Sequence, residues 1–559
     1  MNAHFSLLLL GISFNAGLAR AQSTISPGDS VTRRIAPHLV DSAIVLTLRD
    51  GDYARLLLTH PTGVAINVIR PNVSRVGPLI SPDDPEGTDA VAFVAEGAGP
   101  YALAVTNDGA VVVPYTVAFA ERLSLDDRTR PAPLREEVSS PRIQVIRRQV
   151  DSARTNTADF WAAIAKEGTP LVEPLDANYD LVTFLWRAEH ETRNVYIVGS
   201  LGVPEGPNDA LRRLGSTDIW YLTLPLPKGA RFSYQMEPNR PSPGIARVTR
   251  QMDPFNRGMR WDCPSGASKY QCRSIGQLPE APAQPWMANR PGVSAGRIEK
   301  RTIHSALQKV DRDLTVYTPP GYAPAGTAAS LVVLFDGDQY LDSTWRGPET
   351  WDNLISAGRI PPTVVVMVHN IPGRRVFDLV ANRTFGDFMA KELAPWVWSH
   401  YNVSHEPGRT VVGGASAGGF GAAYLGLAHP EVFGNVLSVS GAFWWSPEHN
   451  GGICAGACQD PAGKPAVSNR DATTESNWIA QLALKQPAAP VRFYLAAGTF
   501  EFDRDGTAGG ILEETRHLRD ILRAKNYQVI YQQFVGGHDG LSWPGAMANG
   551  LQRLLGAAR

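Results

Sequence analysis

Val411-Val412-Gly413-Gly414-Ala415-Ser416-Ala417-Gly418-Gly419-Phe420 sets a serine between glycines directly after a β-branched apolar run. This G-x-S-x-G layout reads as a nucleophile elbow, a tight turn from strand to helix. Gly414 and Gly418 leave room where a side chain would block the close approach of the turn to its own helix. A pentapeptide is a weak signal in a chain with 52 glycines, so the flanks decide the fold. Upstream, Ser330 to Phe335 and Thr363 to Val368 are unbroken apolar runs that read as buried parallel strands, with helical patterns between them. Downstream, Gly419 to His429 reads as a helix and Val436 to Ser440 as the next strand. The rhythm predicts a doubly wound, mostly parallel sheet, the α/β-hydrolase class.

A serine hydroxyl is a poor nucleophile near neutral pH, so a histidine must take its proton and a carboxylate must fix that histidine's tautomer. In an α/β-hydrolase the chain order is serine, acid, histidine. Four of the 12 histidines follow Ser416: His429, His449, His517 and His538. His429 precedes Pro430 at the end of the elbow helix and reads as a cap. His517 lies in a helical stretch and reads as solvated. His538 follows the strand Gln528 to Val535 and the pair Gly536-Gly537, at the carboxyl end of a strand, and is the expected base. The strand Val491 to Gly498 precedes Glu501, Asp503 and Asp505. Glu501 comes first after the turn and is the expected acid, with Asp503 as the alternative; the competing readings are three carboxylates that only solvate the loop or bind a cation, and a serine–histidine dyad that works without an acid. The oxyanion hole requires two backbone N–H groups: Ala417 supplies one, and the loop Asp336 to Tyr340 supplies the other through Gly337 or Asp338.

The catalytic half resembles the enterochelin esterase family, hydrolases that open ferric catecholate siderophores, in an α/β-hydrolase of the esterase D type. The resemblance runs from about Thr157 to the C-terminus. It is carried by Phe160-Trp161 with Gly168-Thr169-Pro170, by Val182 to Arg187, by Ser216-Thr217-Asp218-Ile219-Trp220 and by Met252-Asp253-Pro254-Phe255-Asn256. Further along it rests on Tyr317 to Tyr322, Leu334 to Asp338, Arg375 with Asp378 and Asn382, Glu392 to Trp396, the elbow, and Gly536-Gly537-His538-Asp539 with Trp543. It implies that Ser416 and His538 are catalytic, that a second β-sandwich domain packs beside the site, and that iron arrives within the substrate and not as a cofactor. Asp378 stands where the family pattern usually shows glutamate. Arg374 and Arg375 then become candidates for contact with an anionic catecholate, and Arg375 equally for a structural partner of Asp378. Trp444, Trp445 and Trp543 are candidates to stack on an aromatic acyl group, with core packing as the competing role. Trp186, Arg187 and Trp220 of the second domain are further candidates to face the substrate, although a strand tryptophan is more often core than ligand platform. A carbohydrate esterase, feruloyl or acetyl, would suit the same residues. A non-catalytic binding protein on a hydrolase scaffold is the reading from another class, and the presence of Ser416 and His538 in hydrolase order argues against it.

The 559 residues predict about three domains. Residues 1–21 read as a signal peptide: a short apolar run, Phe5 to Phe14, is followed by Ala19-Arg20-Ala21, although the leading segment offers His4 and no lysine or arginine. Residues 22–121 show short alternating runs divided by Gly, Pro, Asn and Asp, a predicted β-sandwich whose Gly97 to Val105 resembles pre-peptidase C-terminal-type domains. Residues 122–150 read as a linker, although a helix is predicted from Ile143 to Lys166. Residues 151–295 form the second sandwich and 296–559 the hydrolase domain. Cys263 with Cys272, and Cys454 with Cys458, are close enough in sequence for two local disulfides, which agrees with an exported protein, periplasmic or secreted. Neither spacing suits a zinc site, so no metal is expected. A net charge of −1 gives no field that would attract nucleic acid, and no long apolar stretch predicts a membrane span. The expected partner is a small-molecule ester; oligomeric state is left open.

Overall fold

The computed structural model describes residues 22–70, 73–80, 86–95, 97–124, 137–138, 140–151, 156–188, 192–202, 209–240, 249–258, 272–380, 382–445, 477–502 and 510–556. The expected signal peptide and Cys263, Cys454, Cys458, Asp503 and Asp505 lie outside them. The chain divides into two compact units, Met1–Arg128 and Thr129–Arg559. The second β-rich segment, expected as a separate domain, therefore belongs to the same unit as the hydrolase segment.

Eight strands make the hydrolase sheet: β1 (Arg297–Ser305), β2 (Val310–Thr318), β3 (Ser330–Leu334), β4 (Thr363–Val368), β5 (Thr410–Ala415), β6 (Asn435–Val439), β7 (Arg492–Gly498) and β8 (Gln528–Phe534). Their order is β1-β2-β4-β3-β5-β6-β7-β8. The first three of these are joined by antiparallel pairing, and every later neighbour is parallel. The unbroken apolar runs are explained by burial on both faces. In β3, Leu331 and Val333 enter one core while Val332 and Leu334 enter the other; in β4, Val364 and Val366 oppose Val365 and Met367. Phe385, Phe420, Ile479 and Leu518 from helices cover the first face, and Trp351, Leu354, Met547 and Leu551 the second. That arrangement leaves the carboxyl ends of β3, β5, β7 and β8 as the place where loops meet.

Before this sheet lie two smaller antiparallel ones. Leu171–Pro174, Tyr179–Arg187, Ile219–Pro227 and Arg212–Arg213 form the first, and Val195–Gly199, Arg231–Pro238 and Ser274–Gln277 the second. One core draws Phe184, Trp186 and Leu222 from the former and Ile197, Phe232 and Tyr234 from the latter. Trp186 and Trp220 are buried in it. Phe500, from the loop after β7, is buried in the same core. Asp218 accepts hydrogen bonds from the Thr157 hydroxyl, Trp161 Nε1 and Arg187 Nε, which ties the helix Ala158–Glu167 to this segment. The one helix predicted over Ile143 to Lys166 is two, Pro141–Asp151 and Ala158–Glu167, with Asn156 and Thr157 outside both.

The N-terminal unit holds a five-stranded and a four-stranded sheet. Its strands include Ser30–Ile35 and Val73–Ile80, which carry too many polar residues, or a proline and a glycine, to stand out in the sequence. Tyr53–His60 buries alternate positions, as a strand with one face on a core does. No helix among the described residues is long and apolar enough to cross a membrane.

Candidate active site

Ser416 leaves β5 with φ 57° and ψ −122°, a conformation that non-glycine residues seldom adopt, and the helix Ala417–Ala428 begins at once. The surrounding glycines make this possible. A Cβ on Gly414 would lie 2.7 Å from the carbonyl carbon of Gly418, and one on Gly419 would lie 2.7 Å from Ser438 Oγ. The Ser416 N–H is fixed by Val439 O at 3.1 Å. The side chain is thereby held at the carboxyl end of the sheet, over a helix whose first N–H groups have no acceptor within the helix.

His538 Nε2 lies 3.0 Å from Ser416 Oγ, and its Nδ1 lies 2.8 Å from Glu501 Oε1. The tautomer follows from the partners. An ionised carboxylate only accepts, so the ring proton sits on Nδ1 and leaves Nε2 as the acceptor for the serine hydroxyl. Glu501 Oε2 accepts the Gly498 N–H at 2.7 Å, and the side chain is 1% exposed. Trp543 meets the His538 ring edge-on at 4.9 Å and 81°, with its Nε1 donating to Ser440 Oγ at 2.9 Å. Three side chains from three strand ends thus form one hydrogen-bonded line, with the Ser416 hydroxyl at its end.

The second amide turn is adjacent. Asp336 lies in the left-handed region, φ 57° and ψ 47°, and Gly337 opens the short turn Gly337–Leu341 after β3. A Cβ on Gly418 would lie 3.2 Å from Asp336 Oδ2, which sets this turn beside the amide of Ala417. Gly337 is packed against the end of β4, where a Cβ would lie 3.0 Å from the carbonyl carbon of Met367. Asp338 turns its carboxylate to His369.

The structure corrects two expectations, the pairing of Arg375 with Asp378 and the stacking role of Trp445. Arg375 pairs with Asp336 instead, with its side chain 36% exposed. Its Nε and Nη2 donate to the two oxygens of Asp336 at 2.6 and 2.8 Å, and Asn370 donates to the same carboxylate. Asp378 is instead held by the buried Arg312, by Gln308 and by Arg374 at 3.4 Å. Trp445 is 2% exposed and packs in the core against Phe420 and Trp478. A tryptophan ring buried on that face has no side left for a ligand. Trp444 is partly buried against the same core. Cys272 is buried, and no cysteine among the described residues is free.

The sequence reading gave no role to residues that hold the histidine loop. Asp539 accepts hydrogen bonds from the Ser200 hydroxyl, the Ser233 N–H at 2.9 Å and the Leu541 N–H at 3.0 Å. Gln284 donates to Leu541 O and accepts from the Gly545 N–H. The adjacency of Asp539 to His538 was the one available signal. Among the described residues no group of three or more His, Cys, Asp or Glu side chains could hold a metal ion.

Residues 305–554 match the model of the putative esterase family, and residues 181–287 that of the enterochelin esterase N-terminal domain. An iron(III) enterobactin esterase of Escherichia coli O6:H1 is 30% identical over 397 residues, 66% of this chain and 90% of that protein. The chain belongs to the enterochelin esterase family. Another iron(III) enterobactin esterase, from Dickeya dadantii, is 28% identical over 73% of this chain and 94% of its own length. Among solved structures, the enterobactin esterase from Shigella flexneri in the presence of enterobactin aligns with a TM-score of 0.53 and 25% identity, over 72% of this chain and 98% of that one. The protein is a carboxylic ester hydrolase with an α/β-hydrolase catalytic domain. Both matched family segments, 181–287 and 305–554, lie outside the N-terminal unit Met1–Arg128.

Proposed function

We propose that this enzyme hydrolyses the ester bonds of a ferric catecholate siderophore, a cyclic trilactone of the enterochelin type, through an acyl-enzyme at Ser416. The observation that carries the chemistry is the hydrogen-bonded line Ser416, His538, Glu501 at 3.0 and 2.8 Å. His538 Nε2 takes the hydroxyl proton as Ser416 Oγ attacks the ester carbonyl, and the negative charge moves to the carbonyl oxygen. The amides of Ala417 and of Gly337 or Asp338 stabilise that oxyanion, the term that commonly contributes most to such barriers. Collapse expels the alkoxide, which receives the proton from His538, and leaves the acyl group on Ser416. Water then repeats the sequence, giving up its proton to His538 and releasing the carboxylic acid and the free serine. Glu501 holds the imidazole in the needed tautomer and stabilises the imidazolium. No metal takes part in these steps; iron enters as part of the substrate.

The substrate class is supported by two named enterobactin esterases that this chain matches over about nine-tenths of their length. We read the two-sheet segments as β-sandwiches, the first as a packing or binding module and the second as cover for the site. Export, cleavage before Gln22 and the pairs Cys263 with Cys272 and Cys454 with Cys458 complete the proposal. Purified enzyme supplied with a ferric trilactone catecholate, with feruloyl sugars and with acetyl sugars tests the substrate. Faster turnover of the trilactone is expected; turnover of the sugars alone would reassign the enzyme as a carbohydrate esterase.

A further inference from the structure

The loop that carries His538 is anchored from outside the hydrolase sheet. The Arg231 N–H donates to Val535 O at 3.0 Å, and a Cβ on Gly537 would lie 2.4 Å from the carbonyl oxygen of Ser200, so the loop lies directly on the second β-rich segment. At the centre is Asp539, 2% exposed, with every oxygen engaged. Oδ2 takes the Ser200 hydroxyl and the Ser233 N–H, and Oδ1 takes the Leu541 N–H on the far side of the loop. Ser200 in turn accepts from the Ser233 N–H at 3.0 Å, which closes a small network. Asp539 has no part in orienting the imidazole directly, since His538 Nδ1 is already bound by Glu501. The loop of Glu501 is tied to the same segment: Phe500 is buried in its core, its N–H donates to Gly536 O at 2.9 Å, and Gly202 approaches Phe500 so closely that a Cβ there would lie 3.1 Å from the Phe500 Cβ.

We propose that Asp539 is a positioning residue through which the second β-rich segment, by way of Ser200 and Ser233, sets His538 in register with Ser416. This rests on the reading of His538 as the base. The segment is then part of the catalytic apparatus and not only a cover for the substrate. A buried carboxylate is costly without partners, so its placement between two parts of the chain gives one geometry a strong preference over displaced ones. Burial also pushes the Asp539 carboxyl up from its ordinary range, which fits a group that depends on these donors.

The test compares Asp539→Asn and Ser200→Ala with wild type and with Ser416→Ala, on a small chromogenic ester that does not reach beyond the reacting centre. Asparagine presents N–H where two donors converge. Misplacement of the base on the scale of an ångström is expected to lower kcat about 100-fold, with KM changed less than about twofold. Ser200→Ala keeps the Ser233 bond and is expected to lower kcat about tenfold. Rates are expressed per active site titrated with a fluorophosphonate, and the labelling rate of Ser416 should slow in parallel. If Asp539→Asn does not fold, Ser200→Ala decides. Unchanged kcat per titrated site, whether or not the melting temperature falls, overturns the inference while leaving the triad intact. Full hydrolysis by Ser416→Ala would instead overturn the reading on which it rests.

Discussion

Replacing Glu501 by glutamine alters the orientation of the base with the least change in shape. Glu501 Oε2 accepts from the Gly498 N–H at 2.7 Å, Oε1 meets His538 Nδ1 at 2.8 Å, and the side chain is 1% exposed. Glutamine keeps one acceptor and gains an amide NH2. With its oxygen toward Gly498, the NH2 faces Nδ1, which must give up its proton; the ring proton moves to Nε2, 3.0 Å from Ser416 Oγ, where it blocks acceptance of the serine proton. With its oxygen toward His538, the NH2 faces the Gly498 N–H, and a buried donor is left without an acceptor. The second arrangement costs stability and the first costs catalysis. A wrong tautomer lowers kcat on the order of 10³ to 10⁴ in triads of this kind, about 4 to 5 kcal/mol of barrier. Steady-state hydrolysis of a p-nitrophenyl ester should show that loss in kcat, with KM within a few-fold and the fold intact by circular dichroism. A variant within about threefold of wild type would refute the assignment. A larger loss for Asp503→Asn than for Glu501→Gln would move the role to Asp503.

Arg375→Met leaves the Asp336 carboxylate, 5% exposed, with only Asn370 as a side-chain donor among the described residues. The expected destabilisation is about 2 kcal/mol, below that of a fully buried pair because the Arg375 side chain is 36% exposed. A fall in kcat should accompany it as the Asp336 turn loosens, whereas a rise in KM alone, without loss of stability, would make Arg375 a substrate contact. Trp445→Ala should cost about 3 to 5 kcal/mol in urea unfolding, since the ring is buried among Phe420 and Trp478; unchanged stability with weaker binding would contradict its placement in the core. Burial opposes the charge on Asp218, but hydrogen bonds from Thr157, Trp161 and Arg187 outweigh it and hold the carboxyl below its ordinary range. Its stabilising contribution is therefore present above about pH 4 and is lost as pH falls through the lower folded value, so Asp218→Asn should flatten the drop in melting temperature between about pH 4 and pH 2. An unaltered acid limb would show that those three donors contribute nothing.

Much of the site is legible in the chain because its parts are local. Ser416 announces itself through the glycines that its backbone turn requires, and His538 and Glu501 through their places after apolar strands. The two-sided burial of β3 and β4 is visible as runs without alternation. What escaped are contacts between distant residues. Arg375 has Asp378 three residues away and Asp336 thirty-nine away, and spacing alone favours the near partner; the fold brings the far one to its guanidinium. Trp445 and Trp543 look alike in sequence, yet one faces the core and the other the imidazole. Ser200, just after one strand, and Ser233, within another, are ordinary serines until Asp539 reaches them across more than 300 residues. The second segment looked separable for the same reason, since nothing in the sequence of Gly536 to Asp539 says that Ser200 and Ser233 are its partners.

The covalent intermediate is the direct test of the central claim. Enzyme mixed with a slowly deacylating ester, quenched in acid and digested, should carry the acyl mass on the peptide containing Ser416. Glu501→Gln should accumulate that adduct more slowly, and Ser416→Ala should show neither adduct nor turnover. An acyl group on another residue, or hydrolysis at the wild-type rate by Ser416→Ala, would contradict the account.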